Sequence, residues 1–228
     1  MASTEFRTGV IKPVEVYKEA WEMIKGQFWI ILAVTIVGML IGSVIPIVLI
    51  GPMMCGIYLV LLQTYEGRIV DFAQLFKGFD YFLPSLILAI IIMLPTLVLI
   101  FTIYIPMIGI AMAGPRMSET EVMAAIIGTF AVVLVETIVM VCLHTLLIFS
   151  FPLIVDKKMS AVDAIKTSAS AVWQNLSGVV GLFVVGFGVA LVGYLMLCIG
   201  IYLVLPLIIA AHVVAYRKVF PAAQSFSV

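Results

Sequence analysis

Polar and apolar positions along this chain follow one pattern that comes round three times. A short charged segment with apolar residues at helical spacing leads into an apolar stretch long enough to fold back on itself. From Val14 to Ile24 the apolar residues Val14, Tyr17, Trp21 and Ile24 stand at offsets 0, 3, 7 and 10, with Glu15, Lys18, Glu19 and Glu22 between them. Ile69, Phe72, Phe76 and Phe79 repeat that spacing, and Val162, Ile165, Ala169 and Val172 repeat it again. Each set predicts one face of an amphipathic helix. Such helices are too short and too charged to cross a bilayer, so they are expected to lie along its surface, with Trp21 and Trp29 at headgroup level.

The apolar stretches between them predict hairpins. Phe28 to Tyr65 is too long for one span and holds two helices of about 18 residues if it turns between Pro46 and Pro52, where Gly51-Pro52 supplies the break. Gly38 and Gly42 in its first arm permit close helix approach. A second hairpin starts at Phe82-Leu83-Pro84 and turns between Pro106 and Pro115. Its return arm, Val122 to about Phe149, follows the capping box Ser118-Glu119-Thr120-Glu121. The third rises from Leu176, with Gly186, Ala190 and Gly193 as a packing stripe. It turns at Gly200 and Pro206 and ends at Tyr216-Arg217-Lys218. Residues 1–8 are expected to fray, and no cleavable signal peptide is expected at the start.

Composition fixes the environment. The chain of 228 residues is 64% hydrophobic and only 11% charged, with a mean hydropathy of +1.30, which no soluble domain approaches. The net charge is zero, so the placement of charge carries the information. With six spans, eleven of the twelve Lys and Arg residues fall on one side and only Arg116 on the other. That is a positive-inside signal. The predicted fold is all-α: a polytopic membrane helical bundle of six transmembrane helices with three cytoplasmic interfacial amphipathic helices and both termini in the cytoplasm. It forms one transmembrane domain in three hairpin units, 12–66, 67–156 and 157–220. Trp21 to Tyr65 covers 44 positions and Trp173 to Tyr216 covers 43, so the first and third units match most closely. Units entering from the same side are parallel repeats about an axis along the membrane normal. The predicted location is the cytoplasmic (inner) membrane of a bacterium.

Candidate chemistry is sparse. Glu136 is the one acid deep in a predicted span, near the midpoint of its helix, where a carboxylate is costly and needs a partner or a proton. His144 lies on the same broad helix face and His212 sits in the last span. One reading is a proton or cation relay of Glu136 with either histidine. The other is a carboxyl hydrogen-bonded to a neighbouring helix and a histidine satisfied by a backbone carbonyl. Cys55, Cys142 and Cys198 are scattered in apolar runs and read as small hydrophobes. There is no Walker loop, no metal-ligand spacing and no nucleophile elbow, so neither a cofactor nor a catalytic site is expected. Basic residues are dispersed among acids, which argues against nucleic-acid binding. The expected partners are membrane lipid, a membrane protein or a second copy of the chain. The alternative function is a carrier for a hydrophobic or amphipathic solute, coupled to protons through Glu136.

The run Phe151-Pro152-Leu153-Ile154-Val155-Asp156, with Ser160 and Asp163 to Ser168 after it, resembles a bacterial group of six-span membrane proteins of unassigned function. That group is related to the membrane domain of glycerophosphodiester phosphodiesterases. Gly51-Pro52 with Gly56, and Asp71 to Phe79, are similar to it as well. The resemblance implies a six-helix membrane module. It implies no phosphodiesterase activity, because the catalytic domain is absent. On this reading Pro152 ends a span and Asp156 caps the helix that follows.

Overall fold

The computed structural model describes residues 6–113, 116–196 and 199–221. Of the turn expected between Pro106 and Pro115, residues 114 and 115 lie outside them, as do the thiol of Cys198 and the tail from residue 222, while Pro106 to Ala113 are helical. All regular structure among the described residues is helical. The α-helices are α1 (Pro13–Lys25), α2 (Phe28–Val44), α3 (Pro46–Tyr65), α4 (Phe82–Ala113), α5 (Glu119–Leu146), α6 (Ser150–Lys157), α7 (Ala161–Gln174), α8 (Leu176–Leu195) and α9 (Ile199–Val219), and a 3-10 helix covers Phe72–Tyr81. Five stretches are long and apolar enough to cross a membrane, and α1 with α2, bent by 100°, makes a sixth if counted as one span. The protein is an all-helical, multi-pass membrane protein.

The chain groups into two compact units, one formed by Met1–Ala89 with Leu146–Val228 and one by Ile90–Thr145. In the first, α3, α6 and α9 pack together through aromatic side chains. Tyr58 stacks on Phe151 at 6.1 Å between centroids, and Phe149 meets Tyr216 at 6.2 Å and Phe220 at 6.0 Å. The amphipathic elements pack on the longer helices: α1 on α8 and α9, the 3-10 helix on α3, and α7 on α6.

Three residues tie distant segments together, each standing immediately before a long helix. Gln27, before α2, accepts from Val70 N at 2.7 Å and donates to Arg68 O at 3.3 Å, fixing the approach to the 3-10 helix. Tyr81, before α4, donates to Val155 O at 3.2 Å on the approach to α7. Asn175, before α8, accepts from Gly9 N at 2.8 Å and donates to Arg7 O at 3.1 Å on the approach to α1. Phe6 to Thr8 are therefore held rather than frayed, and Arg7 N also donates to Val219 O at 2.9 Å.

The middle amphipathic element differs from its expected form. It is a 3-10 helix begun by Asp71, whose side chain accepts from Ala73 N at 3.0 Å, and Ile69 lies outside it, fully solvent- or lipid-facing. A 3-10 helix has three residues per turn, so side chains at i and i+3 eclipse. Phe72, Leu75, Gly78 and Tyr81 accordingly make up the inward face, while Phe76 and Phe79 point out. The tighter winding suits a contact made backbone to backbone: a Cβ on Gly78 would collide with Pro52 O, and one on Gly56 with Leu75 O.

This also corrects the first turn. The chain breaks at Ile45, and Pro46 starts α3, where its missing N–H costs nothing. Gly51-Pro52 lies inside α3, where a Cβ on Gly51 would strike Ser85 O. Similarly Gly200 and Pro206 lie within α9, and Gly200 is there for its close approach to Gly193. Gly38 admits Ile57 and Leu75, Gly42 admits Ile50, and Gly186 admits the hydroxyl of Tyr17.

The inward faces of α1 and α7 are likewise shifted. In α1 Val16, Tyr17, Ala20 and Ile24 are buried while Val14 and Trp21 are exposed. In α7 the buried set is Ala161, Ala164, Ser168, Ala171 and Val172, with Val162 outside. In α7 mostly small residues face the protein, whereas α1 also turns Tyr17 and Ile24 inward.

The second unit is a two-helix hairpin. Helix α5 has no buried residue, and Ile105, Met112, Ile127 and Phe130 are among many exposed apolar side chains. Its arms are long: α4 has 32 residues against 17 for α2 and 20 for α8.

Candidate functional site

Helix α5 begins where its capping box predicts. Ser118 N donates to Glu121 Oε2 at 2.8 Å, and Glu121 N donates to Ser118 Oγ at 3.3 Å, so two otherwise unpaired backbone donors are satisfied reciprocally. Four turns further on, Glu136 meets α4. Thr102 Oγ1 donates to Glu136 Oε1 at 2.8 Å. Glu136 Oε2 is buried and has no hydrogen-bond partner. Pro106 in α4 has no N–H to offer the carbonyl of Thr102, four residues back, so the pair sits where the helix itself has a free acceptor. Beside it runs an open groove of about 260 Å³ lined by Leu94, Pro95, Val98, Val135, Val139 and Leu143. A second groove of about 290 Å³, between Ile103, Pro106, Ile110, Ile126 and Phe130, lies further toward the hairpin tip.

The two histidines are not joined to this pair by a hydrogen bond. His144 Nδ1 is 2.8 Å from Met140 O, a backbone contact within its own helix, and Met140 Sδ receives Thr96 Oγ1 at 3.7 Å. His212 belongs to the other unit, on α9, where its ring lies 6.2 Å from that of Phe183. Cys55 is buried and Cys142 exposed, both as free thiols. Among the described residues no three His, Cys, Asp or Glu side chains converge as a metal ion would require.

The densest polar cluster lies elsewhere, in the first unit, at the ends of α3, α6 and α9. Arg217 has a side chain only 4% exposed, and its guanidinium reaches Asp156 Oδ1 at 2.9 Å and Glu66 Oε1 at 3.2 Å. Tyr216 donates to Asp156 Oδ2 at 2.6 Å, and Lys157 approaches the same carboxylate at 3.7 Å. Arg68 pairs with the other oxygen of Glu66 at 3.1 Å. Asp156 therefore serves as an ion-pair partner, not as the cap of α7. That cap is Ser160, whose hydroxyl accepts from Asp163 N at 3.2 Å.

Nor does Pro152 end a span. It lies in the first turn of α6, after a break at Leu147 to Phe149. Ser168 of α7 repairs that break, donating to Leu146 O at 2.7 Å and accepting from Phe149 N at 3.2 Å. Sequence reading missed the Arg217 cluster. The signal for it was a charged residue near the end of each return arm: Glu66 just after α3, Asp156 near the end of α6, and Arg217 in the last turn of α9.

The site thus consists of a half-satisfied carboxyl in an apolar hairpin, carried by an all-helical membrane protein. Comparison of the chain with protein-family models, curated proteins and solved structures finds no match in any of the three.

Proposed function

We propose that the protein is a six-span module of the bacterial inner membrane, with both termini in the cytoplasm, that binds a lipid or protein partner and catalyses no reaction. The observation that carries this reading is the α4–α5 hairpin, in which α5 has no buried residue and many apolar side chains of both helices are exposed. Contiguous apolar surface of this kind marks a membrane or partner contact. The exposed Trp21, Trp29 and Trp173 suit helices lying at a headgroup boundary. The clasps made by Gln27, Tyr81 and Asn175 support three hairpin units, 12–66, 67–156 and 157–220, related by rotation about the membrane normal. The similarity of Phe151 to Asp156 to the membrane domain of glycerophosphodiester phosphodiesterases agrees with a module of this kind. A carrier coupled through Glu136 is the second reading, and the unpartnered Oε2 favours it.

Single-cysteine labelling tests the topology. A membrane-impermeant maleimide applied outside should react with a cysteine at Arg116 and not with one at Lys158. The reverse pattern would overturn the orientation and the threefold arrangement together. In reconstituted vesicles the carrier reading requires solute uptake driven by a pH gradient and lost in Glu136→Gln, whereas the binding reading requires no uptake in either protein.

A further inference from the structure

We propose that the first unit binds anionic phospholipid through its three amphipathic elements, with Lys18, Lys77 and Lys166 receiving headgroup phosphates beside exposed aromatic side chains. This rests on the reading of the chain as a lipid-binding membrane module, and it names the lipid class and the residues that select it.

The charge left over after internal pairing is the first ground. The net charge of zero divides unevenly between the two units. The first holds eleven basic and nine acidic residues, leaving +2, and the second holds Arg116 against Glu119, Glu121 and Glu136, leaving −2. Most acids of the first unit are taken up inside the fold. Glu15 pairs with Lys12 at 3.2 Å, Glu19 with Lys218 at 2.7 Å, and Glu22 with Lys25. Glu66 and Asp156 belong to the Arg217 cluster. Asp71 caps the 3-10 helix, and Asp163 accepts from the Ser160 hydroxyl at 2.7 Å in the first turn of α7. Among the described residues only Asp80 is left with neither an ion pair nor a hydrogen bond. On the basic side Lys18, Lys77, Lys158 and Lys166 stand without a carboxylate.

Placement is the second ground. Each amphipathic element carries one of these lysines directly after an apolar residue of its pattern: Tyr17-Lys18, Phe76-Lys77 and Ile165-Lys166. All three lysines are exposed. Large uncovered rings stand near them, with Trp21 one turn after Lys18, Phe76 and Phe79 on either side of Lys77, and Trp173 two turns after Lys166. Hydrogen bonds bring the elements together end to end. Gln27, after α1, accepts from Val70 N before the 3-10 helix; Tyr81, at the end of that helix, donates to Val155 O; and Asn175, after α7, accepts from Gly9 N before α1. The same end of the unit therefore presents three unpaired ammonium groups, each beside an exposed ring. An anionic bilayer surface answers both halves of that arrangement, since the ring and the lysine stem enter the apolar layer while the ammonium stays with the phosphates. An acidic protein would answer the charge alone.

Quenching of tryptophan fluorescence by lipids brominated along the acyl chain tests this in the full chain reconstituted into bilayers. Trp29→Phe with Trp173→Phe leaves Trp21 as the reporter for Lys18. Trp21→Phe with Trp29→Phe leaves Trp173 as the reporter for Lys166. Brominated phosphatidylglycerol should compete for each reporter about fivefold better than brominated phosphatidylcholine at low salt, the preference expected of one lysine at an anionic surface. Raising the salt should shrink that preference. Lys18→Gln should remove most of it at Trp21, and Lys166→Gln most of it at Trp173. Both lysines are exposed and unpaired, so helical content and elution volume should match the parent. Equal competition by the two lipids in the parent, or a preference undiminished by either substitution, would overturn the proposal and leave the membrane reading standing. Quenching by neither lipid would overturn the proposal and the membrane placement of these helices together, and would turn the lysines toward an acidic protein.

Discussion

Two regions of this protein carry charge into apolar surroundings, and they treat it in opposite ways. At the ends of α3, α6 and α9, Arg217 is sunk between Asp156 and Glu66, and Tyr216, Lys157 and Arg68 complete the coordination of both carboxylates. In the α4–α5 hairpin, Glu136 has one neutral partner and one oxygen with none. A network in which every carboxylate oxygen is paired, leaving only the Arg217 Nε without a partner, fixes how helices are arranged, because removing any member strands the others. A half-satisfied group stabilises nothing in the isolated chain, and such groups in native structures call for an explanation outside the fold. The first region holds the architecture. The second is where a partner chemistry is missing.

The largest effect that would break this contrast belongs to Arg217. Arg217→Met leaves two carboxylates facing each other without their cation, and should destabilise the protein by about 3–5 kcal/mol in unfolding from mixed micelles. Adding Asp156→Leu to the same chain should restore part of that loss, since the stranded charge then goes too. A fall below 1 kcal/mol for the single variant would show that the cluster is ornamental.

Gly78→Ala comes next. The new Cβ overlaps Pro52 O and the backbone of Gly56, atoms that cannot swing aside, so about 1–3 kcal/mol should be lost in the same unfolding measurement. Gly109 and Gly128, whose added Cβ would meet no atom within 4 Å, are the controls in the second unit.

Glu136→Gln should have the smallest effect, within about 0.5 kcal/mol, because the Thr102 hydrogen bond survives and no packing changes. If it instead destabilised the chain as Arg217→Met does, the hairpin carboxyl would be structural and the two regions would be alike.

Much of the architecture could be read from local pattern. The alternation of amphipathic and apolar segments is written in the hydrophobic period, and the long helices follow its order, although the turns at Ile45 and before Ile199 fall outside the expected residues. The faces were harder. In α7 the residues that pack inward are Ala161, Ala164 and Ser168, because helix contacts within a membrane favour small side chains, and hydrophobicity ranks them below Val162. In the middle element the assumed 3.6 period selected Phe76 and Phe79, whereas the actual winding of three selects Leu75 and Gly78. Gly51-Pro52 looks like a turn because the residues that break helices are also those that let backbones touch. Glu136 announced itself as the lone acid deep in a predicted span, and the partner that position calls for is Thr102, on the neighbouring helix. The partners of Arg217 were invisible: they lie 61 and 151 positions away, and no local rule joins such residues.

The clasp of Asn175 on Arg7 and Gly9 has a consequence for chain connectivity. It places the approach to α1 against the end of α7, while Arg7 N binds Val219 O and the ring of Phe6 lies 5.9 Å from that of Phe220. The two ends of the described chain are thus neighbours, as successive links of a ring would be. A circular permutant that joins Phe220 to Phe6 through a short linker, and opens at Lys158 where the backbone already turns with φ 51°, would keep all three clasps and the Arg217 cluster. Where the polypeptide starts would then be a matter of genetic convenience, and the order of the hairpins around the ring the property that folding has to preserve.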